Sequence, residues 1–292
     1  MSVAARAWAS LRRNALPIYA GLAVAYMLIP IVVIAVFSFG DTPKDKLTFG
    51  LDDGFTLEYW RTIFSNTQLN EAFTTSLRLA ALSTVISTAI GTLMAIALVR
   101  HRFVGRRAAN LLIVIPMATP EVVIGAALLS MFIYYTFALG FTTLLIAHVM
   151  FSISFVVVVV RSRLIGFDRH LEEAAADLGA TPLATFRTVT LPLLAPGVVA
   201  AALLAFALSI DDFVISNFNS GTTVTFPLYV YGVSLRGIPV QVNALATLLF
   251  LVAVICVALV LWQQRRAERL AAVRPEREPA PPIPAPPAQA TT

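Results

Sequence analysis

Charge, cysteine and histidine are scarce in this chain, and each scarcity excludes something. Charged residues make up 13% of the 292 residues, about half the share of a soluble domain. A water-facing globular surface cannot be covered with so few. The single Cys256 can form no internal disulfide. The histidines, His101, His148 and His170, lie far apart in sequence, and no Cys/His cluster has metal-ligand spacing. No Gly-x-x-x-x-Gly-Lys-Ser/Thr run occurs, so the chain carries no P-loop for ATP. The net charge of +5 is spread over short loops rather than gathered into a basic patch, which argues against a nucleic-acid partner and reads as a topology signal.

What is abundant is apolar: 58% of the residues, with a mean hydropathy of +0.82. The chain is therefore read as a polytopic, all-α integral membrane protein, since a helix needs about 20 apolar residues to cross the hydrocarbon core. Six spans are expected, at 17–39, 74–99, 110–137, 141–160, 193–217 and 242–262. The first is too long for a cleavable signal peptide, and no small-residue cleavage site follows it. Arg6, Arg12 and Arg13 precede the first span. Arg100, Arg102, Arg106 and Arg107 follow the second, Arg161, Arg163, Arg169 and Arg187 the fourth, and Arg265, Arg266 and Arg269 the last. The intervening loops hold fewer positive residues and more acidic ones, so both termini are expected in the cytoplasm. The organisation expected is a cytoplasmic segment at 1–16, a six-helix membrane domain at 17–262 with a cytoplasmic loop at 161–192, and a disordered Pro/Ala-rich tail at 263–292. An interfacial helix is expected around 55–60.

The loop at 161–192 is the one long polar stretch between apolar runs. Asp168 is placed to cap a helix. Leu171, Ala174, Ala175 and Leu178 fall on one helical face, and Glu172 and Glu173 suit the first turns of the helix dipole. Gly179 is placed to end the helix in a left-handed conformation, and Thr181-Pro182 to start a second short one. The small Ala174 and Ala175 allow another surface to approach closely. An amphipathic loop lying on the membrane would share this face but does not require the rest of the pattern. That pattern is Glu173-Ala174-Ala175, Gly179 after a gap of three, then Val189 and Leu191-Pro192. It resembles the EAA loop of bacterial ABC-importer permeases, EAA-x3-G-x9-I-x-LP, with Val189 in place of the usual Ile. The resemblance implies the type I ABC-importer permease fold and a loop that docks into a cleft on a separate ATPase. Glu173, Ala174, Ala175, Gly179, Leu191 and Pro192 would be its coupling residues.

Carboxylates at membrane depth are costly unless they serve a cavity or a partner, which singles out Glu121, Asp211 and Asp212. Pro116 and Pro120 are expected to break or kink the third span beside Glu121. Neighbouring helical residues point about 100° apart, so at most one of Asp211 and Asp212 faces a pore squarely. The other reading is a structural pair with Arg78 or Arg236, or simple exposure at the membrane interface. His148, in mid-span, is expected to make an interhelical hydrogen bond. The runs Leu208-Ser-Ile-Asp-Asp-Phe-Val-Ile-Ser216, Pro227-Leu228 and Val242-Asn-Ala-Leu-Ala-Thr247, with Pro120-Glu121, look like those of C-type permease subunits of spermidine/putrescine ABC importers. The similarity runs from about 17 to 262, with Ser154 where that family carries Pro. It implies a cationic polyamine as substrate, its ammonium groups held by carboxylates and aromatic faces. Glu121, Asp211 and Asp212 would supply charge. Tyr134, Tyr135, Tyr229 and Tyr231 could supply rings, and Asn243 a hydrogen bond to ligand or neighbouring helix. It also implies a second homologous permease, two ATPase subunits that bind ATP and Mg, an extracytoplasmic solute-binding protein, and the lipid of a bacterial inner membrane. The chain itself would hold no cofactor. Another small organic cation or an amino-acid-like ligand is the alternative substrate. A stand-alone secondary transporter is the alternative class, in which the loop pattern would be accidental.

Overall fold

A computed structural model describes residues 3–40, 54–168, 170–235 and 238–273. The expected disordered tail is corrected at its start: 263–273 continue the last helix, while 274–292 fall outside the described residues, as does 41–53 of the loop before the second span. The chain divides into two compact units, Met1–Ser38 with Asn243–Thr292, and Phe39–Val242. Among the described residues the structure is helical, and the one β contact is an isolated bridge between Gly40 and Phe55. The first unit holds α1 (Val3–Phe37) and nearly all of α12 (Val240–Val273).

The second unit is built on three mutually packed helices, α3 (Thr67–Arg100), α6 (Phe141–Ile165) and α9 (Leu191–Ile210). Small residues let them approach. Ser83, Ser87, Gly91 and Ala95 recur at every fourth position on the buried face of α3, a pattern that brings helix backbones together in lipid. At Gly91 a Cβ would lie 2.6 Å from Cγ1 of Val156 on α6. Around this contact Ala95 and Leu98 of α3, Val156, Val157 and Val160 of α6 and Leu194, Ala201 and Ala205 of α9 form one apolar core. The start of α3 is fixed by Asn66, whose Oδ1 accepts from the Leu69 N–H at 3.1 Å.

Two of the expected spans are broken. The third is α4 (Arg106–Ala118) and α5 (Glu121–Tyr134), which meet at 111°. The break falls at Thr119-Pro120, where the prolines place it: Pro116 and Pro120 have no N–H to give. The last turn of α4 closes on the Ile115 carbonyl, which accepts both the Thr119 N–H at 3.0 Å and the Thr119 hydroxyl at 2.7 Å. The fifth, expected as one helix over 193–217, is corrected at both ends. It begins earlier, because α8 (Pro182–Thr185) runs through a π-helical turn (Phe186–Thr190) straight into α9, giving a continuous Pro182–Ile210. The short helix expected at Thr181-Pro182 is thus its first turn. It also stops earlier, at Ile210, and a separate α10 (Val214–Asn219) follows. α10 packs on α5: Asn219 Nδ2 donates to the Gly125 carbonyl at 3.3 Å, and a Cβ on Gly125 would meet the Phe218 ring at 2.8 Å.

α11 (Phe226–Ser234) lies against α3, with the Phe226 N–H donating to Ser76 Oγ at 2.8 Å. The expected interfacial helix is one turn, α2 (Glu58–Arg61), with Trp60 stacked on Phe39 at 5.2 Å. Among the described residues four helices are long and apolar enough to cross a membrane: Ala15–Phe37, Thr67–Arg100, Phe141–Ile165 and Pro182–Ile210. The bent pair makes a fifth, and α12 contributes a shorter apolar stretch, Val240–Ile255.

Candidate functional site

The loop between α6 and α9 folds as its local chemistry dictates. Asp168 Oδ1 accepts from the His170 N–H at 3.0 Å and opens α7 (His170–Asp177). At the other end Gly179 adopts φ +82°. Its N–H donates to Ala176 and that of Ala180 to Ala175, at 2.9 and 3.0 Å, the paired bonds of a Schellman ending. A Cβ on Gly179 would touch nothing within 4 Å, so glycine is required there by backbone conformation alone. Thr181 caps the next turn, its Oγ1 accepting from the Ala184 N–H at 3.3 Å, with Pro182 as the first helical residue.

This loop turns its apolar side outward. Leu171, Leu178 and Leu183 are 48%, 89% and 67% exposed. Glu173, Ala174 and Gly179 are exposed beside them and Ala175 is half-buried. Leu191 and Pro192 are exposed at the start of α9. An apolar surface of this kind marks a contact with something else. The two glutamates of α7 part company. Glu173 is exposed and, among the described residues, meets His170 Nδ1 at 3.1 Å. Glu172 is drawn inward: both its oxygens accept from the Arg100 guanidinium at the end of α3, and one accepts the Thr190 hydroxyl as well.

At the break after α9 the chain builds a buried polar cluster. Asp212 accepts from the backbone N–H groups of Ile215 and Ser216, at 3.2 and 2.7 Å, and so caps α10. Its Oδ2 lies 3.4 Å from His148 Nε2. The same ring reaches Ser209 Oγ at 2.8 Å through Nδ1 and Ser216 Oγ at 3.1 Å through Nε2, and Ser83 Oγ donates to Ser209 at 2.9 Å. One imidazole on α6 thereby ties α3, the end of α9 and the start of α10. Among the described residues the partner of Asp212 is His148 and not Arg78, which is exposed; Arg236 lies outside the described residues.

The remaining sequence-derived candidates are placed as follows. Asp211 is exposed at the last turn of α9. Glu121 is exposed as the first residue of α5, where the helix dipole favours a carboxylate. The helices that follow the two breaks, α5 and α10, pack on each other. Tyr229 is buried, with its hydroxyl accepting from Asn66 Nδ2 at 3.2 Å. The ring beside the break is Tyr231, which packs on Phe213 with centroids 4.9 Å apart. Asn243 belongs to the other unit, and its carbonyl accepts the Thr247 hydroxyl at 2.7 Å. The hub role of His148 was legible only in part: a mid-span histidine announces an interhelical bond, but its partners lie 61 and 68 residues away.

The coupling-type loop, α9 and both breaks lie within residues 87–271, which match the family profile of the binding-protein-dependent transport system inner membrane component. The chain belongs to this family. Members are membrane transport components, and the protein is accordingly a multi-pass protein of the bacterial inner membrane. It is 38% identical over 237 residues to the spermidine/putrescine transport system permease protein PotC of Haemophilus influenzae, covering 80% of this chain and 90% of that protein. It is 35% identical over 257 residues to the putrescine transport system permease protein PotI of Escherichia coli, covering 85% and 90%. The crystal structure of a bacterial ABC transporter involved in the import of the acidic polysaccharide alginate is similar in fold, at 19% identity and a TM-score of 0.63 over 90% of this chain and 98% of that one.

Proposed function

We propose that this family member is a permease subunit of an ATP-driven importer of polyamines such as spermidine and putrescine. The observation that carries the reading is the 38% identity maintained over 90% of a spermidine/putrescine permease. The chain would cross the membrane with six spans: the four long helices, the bent pair and the apolar part of α12. Both termini would be cytoplasmic. Its partners would be a second homologous permease, two ATPase subunits that bind ATP and Mg2+, and an extracytoplasmic solute-binding protein.

In this reading Glu173, Ala174, Ala175 and Gly179 dock on the ATPase, with Leu191 and Pro192 at the root of the moving span. The exposed leucines of α7 and α8 supply the apolar contact, and the absence of long side chains at Ala174 and Ala175 permits close approach. Because α8 is continuous with α9, a displacement of the loop moves that span. The far end of α9 is the break at Asp211-Asp212, so ATPase motion reaches the place where exposed carboxylates meet the pathway. There Asp211 and Glu121 would face the ammonium groups of the substrate. Asp212 would hold the break open, and Tyr229 would support the path.

The test is uptake by a cell that lacks its own polyamine import and expresses this chain with its partner permease, ATPase and binding protein. Labelled spermidine or putrescine should enter only when the ATPase is active. Ala174→Arg, on an exposed site that leaves the core intact, should lower co-purification of the ATPase by about tenfold, the effect of one interfacial hot spot. Uptake that persists without the ATPase would overturn the reading. So would a complex that hydrolyses ATP and admits neither polyamine.

A further inference from the structure

We infer that Glu172 and Arg100 form a clasp that fastens the coupling helix to the span bundle, so that α3, α6 and α9 follow α7 as one body. This rests on the proposed docking of α7 on an ATPase and adds how the force is passed on. The geometry is specific. Glu172 sits in the first turn of α7, next to the exposed Glu173, yet its side chain is only 21% exposed, and that of Arg100 16%. Arg100 Nη2 donates to Glu172 Oε1 at 2.9 Å and Nη1 donates to Oε2, the two-pronged pairing that fixes direction as well as distance. Oε1 also accepts the Thr190 hydroxyl, at the last position of the π-helical turn before α9. The Arg100 guanidinium lies 5.3 Å from the centre of the Phe167 ring, just beyond the end of α6. One carboxylate and one guanidinium therefore gather the cytoplasm-directed ends of all three core helices. Isolated ion pairs on exposed surfaces contribute little. This one is partly buried, bidentate and shared with a third group, and it joins segments 72 residues apart. The neighbouring glutamate, one residue on, has none of these contacts to the spans. A structural division of labour follows: Glu173 faces outward to the partner, and Glu172 faces inward to the bundle.

The test uses the full complex in lipid vesicles, with labelled spermidine as solute, and reads the retained ATPase, ATP hydrolysis and solute imported per ATP. Glu172→Gln and Arg100→Gln should keep the ATPase bound and hydrolysing, while the imported solute per ATP falls about tenfold, a coupling change within the usual range. Thr190→Val removes one bond and no charge, so the complex should assemble even if the charge variants do not, and the ratio should fall about threefold. The exchanged pair, Arg100→Glu with Glu172→Arg, should recover part of the loss. Normal ATPase retention with a wild-type ratio in Glu172→Gln and Thr190→Val would overturn the clasp alone. Failure of the wild-type chain to retain the ATPase would overturn the docking reading, and the clasp with it.

Discussion

At the residue scale the acidic pair after α9 is two residues with two environments. Asp212 is tied to His148, capped by two backbone N–H groups and nearly buried; Asp211, one position earlier, is exposed. The sequence places both at membrane depth and cannot separate them. Their separation follows from the turn that Asp212 makes to cap α10, which fixes its side chain inward. His148→Ala should take one hydrogen-bond partner each from Ser209, Ser216 and Asp212, costing about 1–3 kcal/mol. It should therefore lower the melting temperature of the purified complex. Asp211→Asn, on an exposed group, should stay within about 0.5 kcal/mol of wild type yet reduce spermidine uptake. Equal losses of stability in both variants would remove the division of roles, as would normal uptake by Asp211→Asn.

At the scale of elements, legibility follows the range of the interaction. The fold of the loop at 161–192 was readable because its determinants are local: an Asp cap, a four-residue apolar face and a glycine that a left-handed ending requires. The break in the third span was readable because two prolines announce it. The break in the fifth was not, since Leu208–Ser216 contains neither proline nor glycine; it is made by Asp212 and by a histidine on another helix. The Arg100–Glu172 clasp was equally hidden, because nothing local distinguishes Glu172 from Glu173. Close packing of α3 on α6 belongs to this scale too. At Gly91 an added Cβ would meet Val156 atoms at 2.6 and 2.8 Å and the Ile153 carbonyl oxygen at 3.3 Å. Val156 is β-branched and cannot swing away. Gly91→Ala should cost about 1–3 kcal/mol by forcing the helices apart, and adding Val156→Ala should return most of it. Thermal unfolding of the complex measures both, and a Gly91→Ala variant as stable as wild type would show that the helices separate freely.

At the scale of the whole molecule the question is which end of the Phe39–Val242 unit faces the cytoplasm. One end gathers Arg100, Arg161, Arg163 and Arg187, with the clasp and the apolar loop. The other gathers the link between α5 and α6 and the turn after α10, where Gly221 at φ +58° lies against Leu139. The pair α4 and α5, bent by 111°, lies between these ends in the chain: five residues separate α4 from α3, which stops at the arginine end, and α5 leads to the start of α6. In the proposed orientation the positive short loops stay in the cytoplasm, which would put α7 where an ATPase can reach it and the acidic breaks toward the outside. Single cysteines on a Cys256→Ser background test this. Leu178→Cys, at the most exposed position of the loop, should react only with reagents that enter the cell. Thr222→Cys, in the exposed turn after α10, should react with a reagent that stays outside. Thr185 lies on the same loop but is buried, and its failure to react would say nothing about sidedness. Labelling of Leu178→Cys from outside intact cells would invert the topology, separate the loop from any cytoplasmic ATPase and remove the physical basis for reading it as a coupling device.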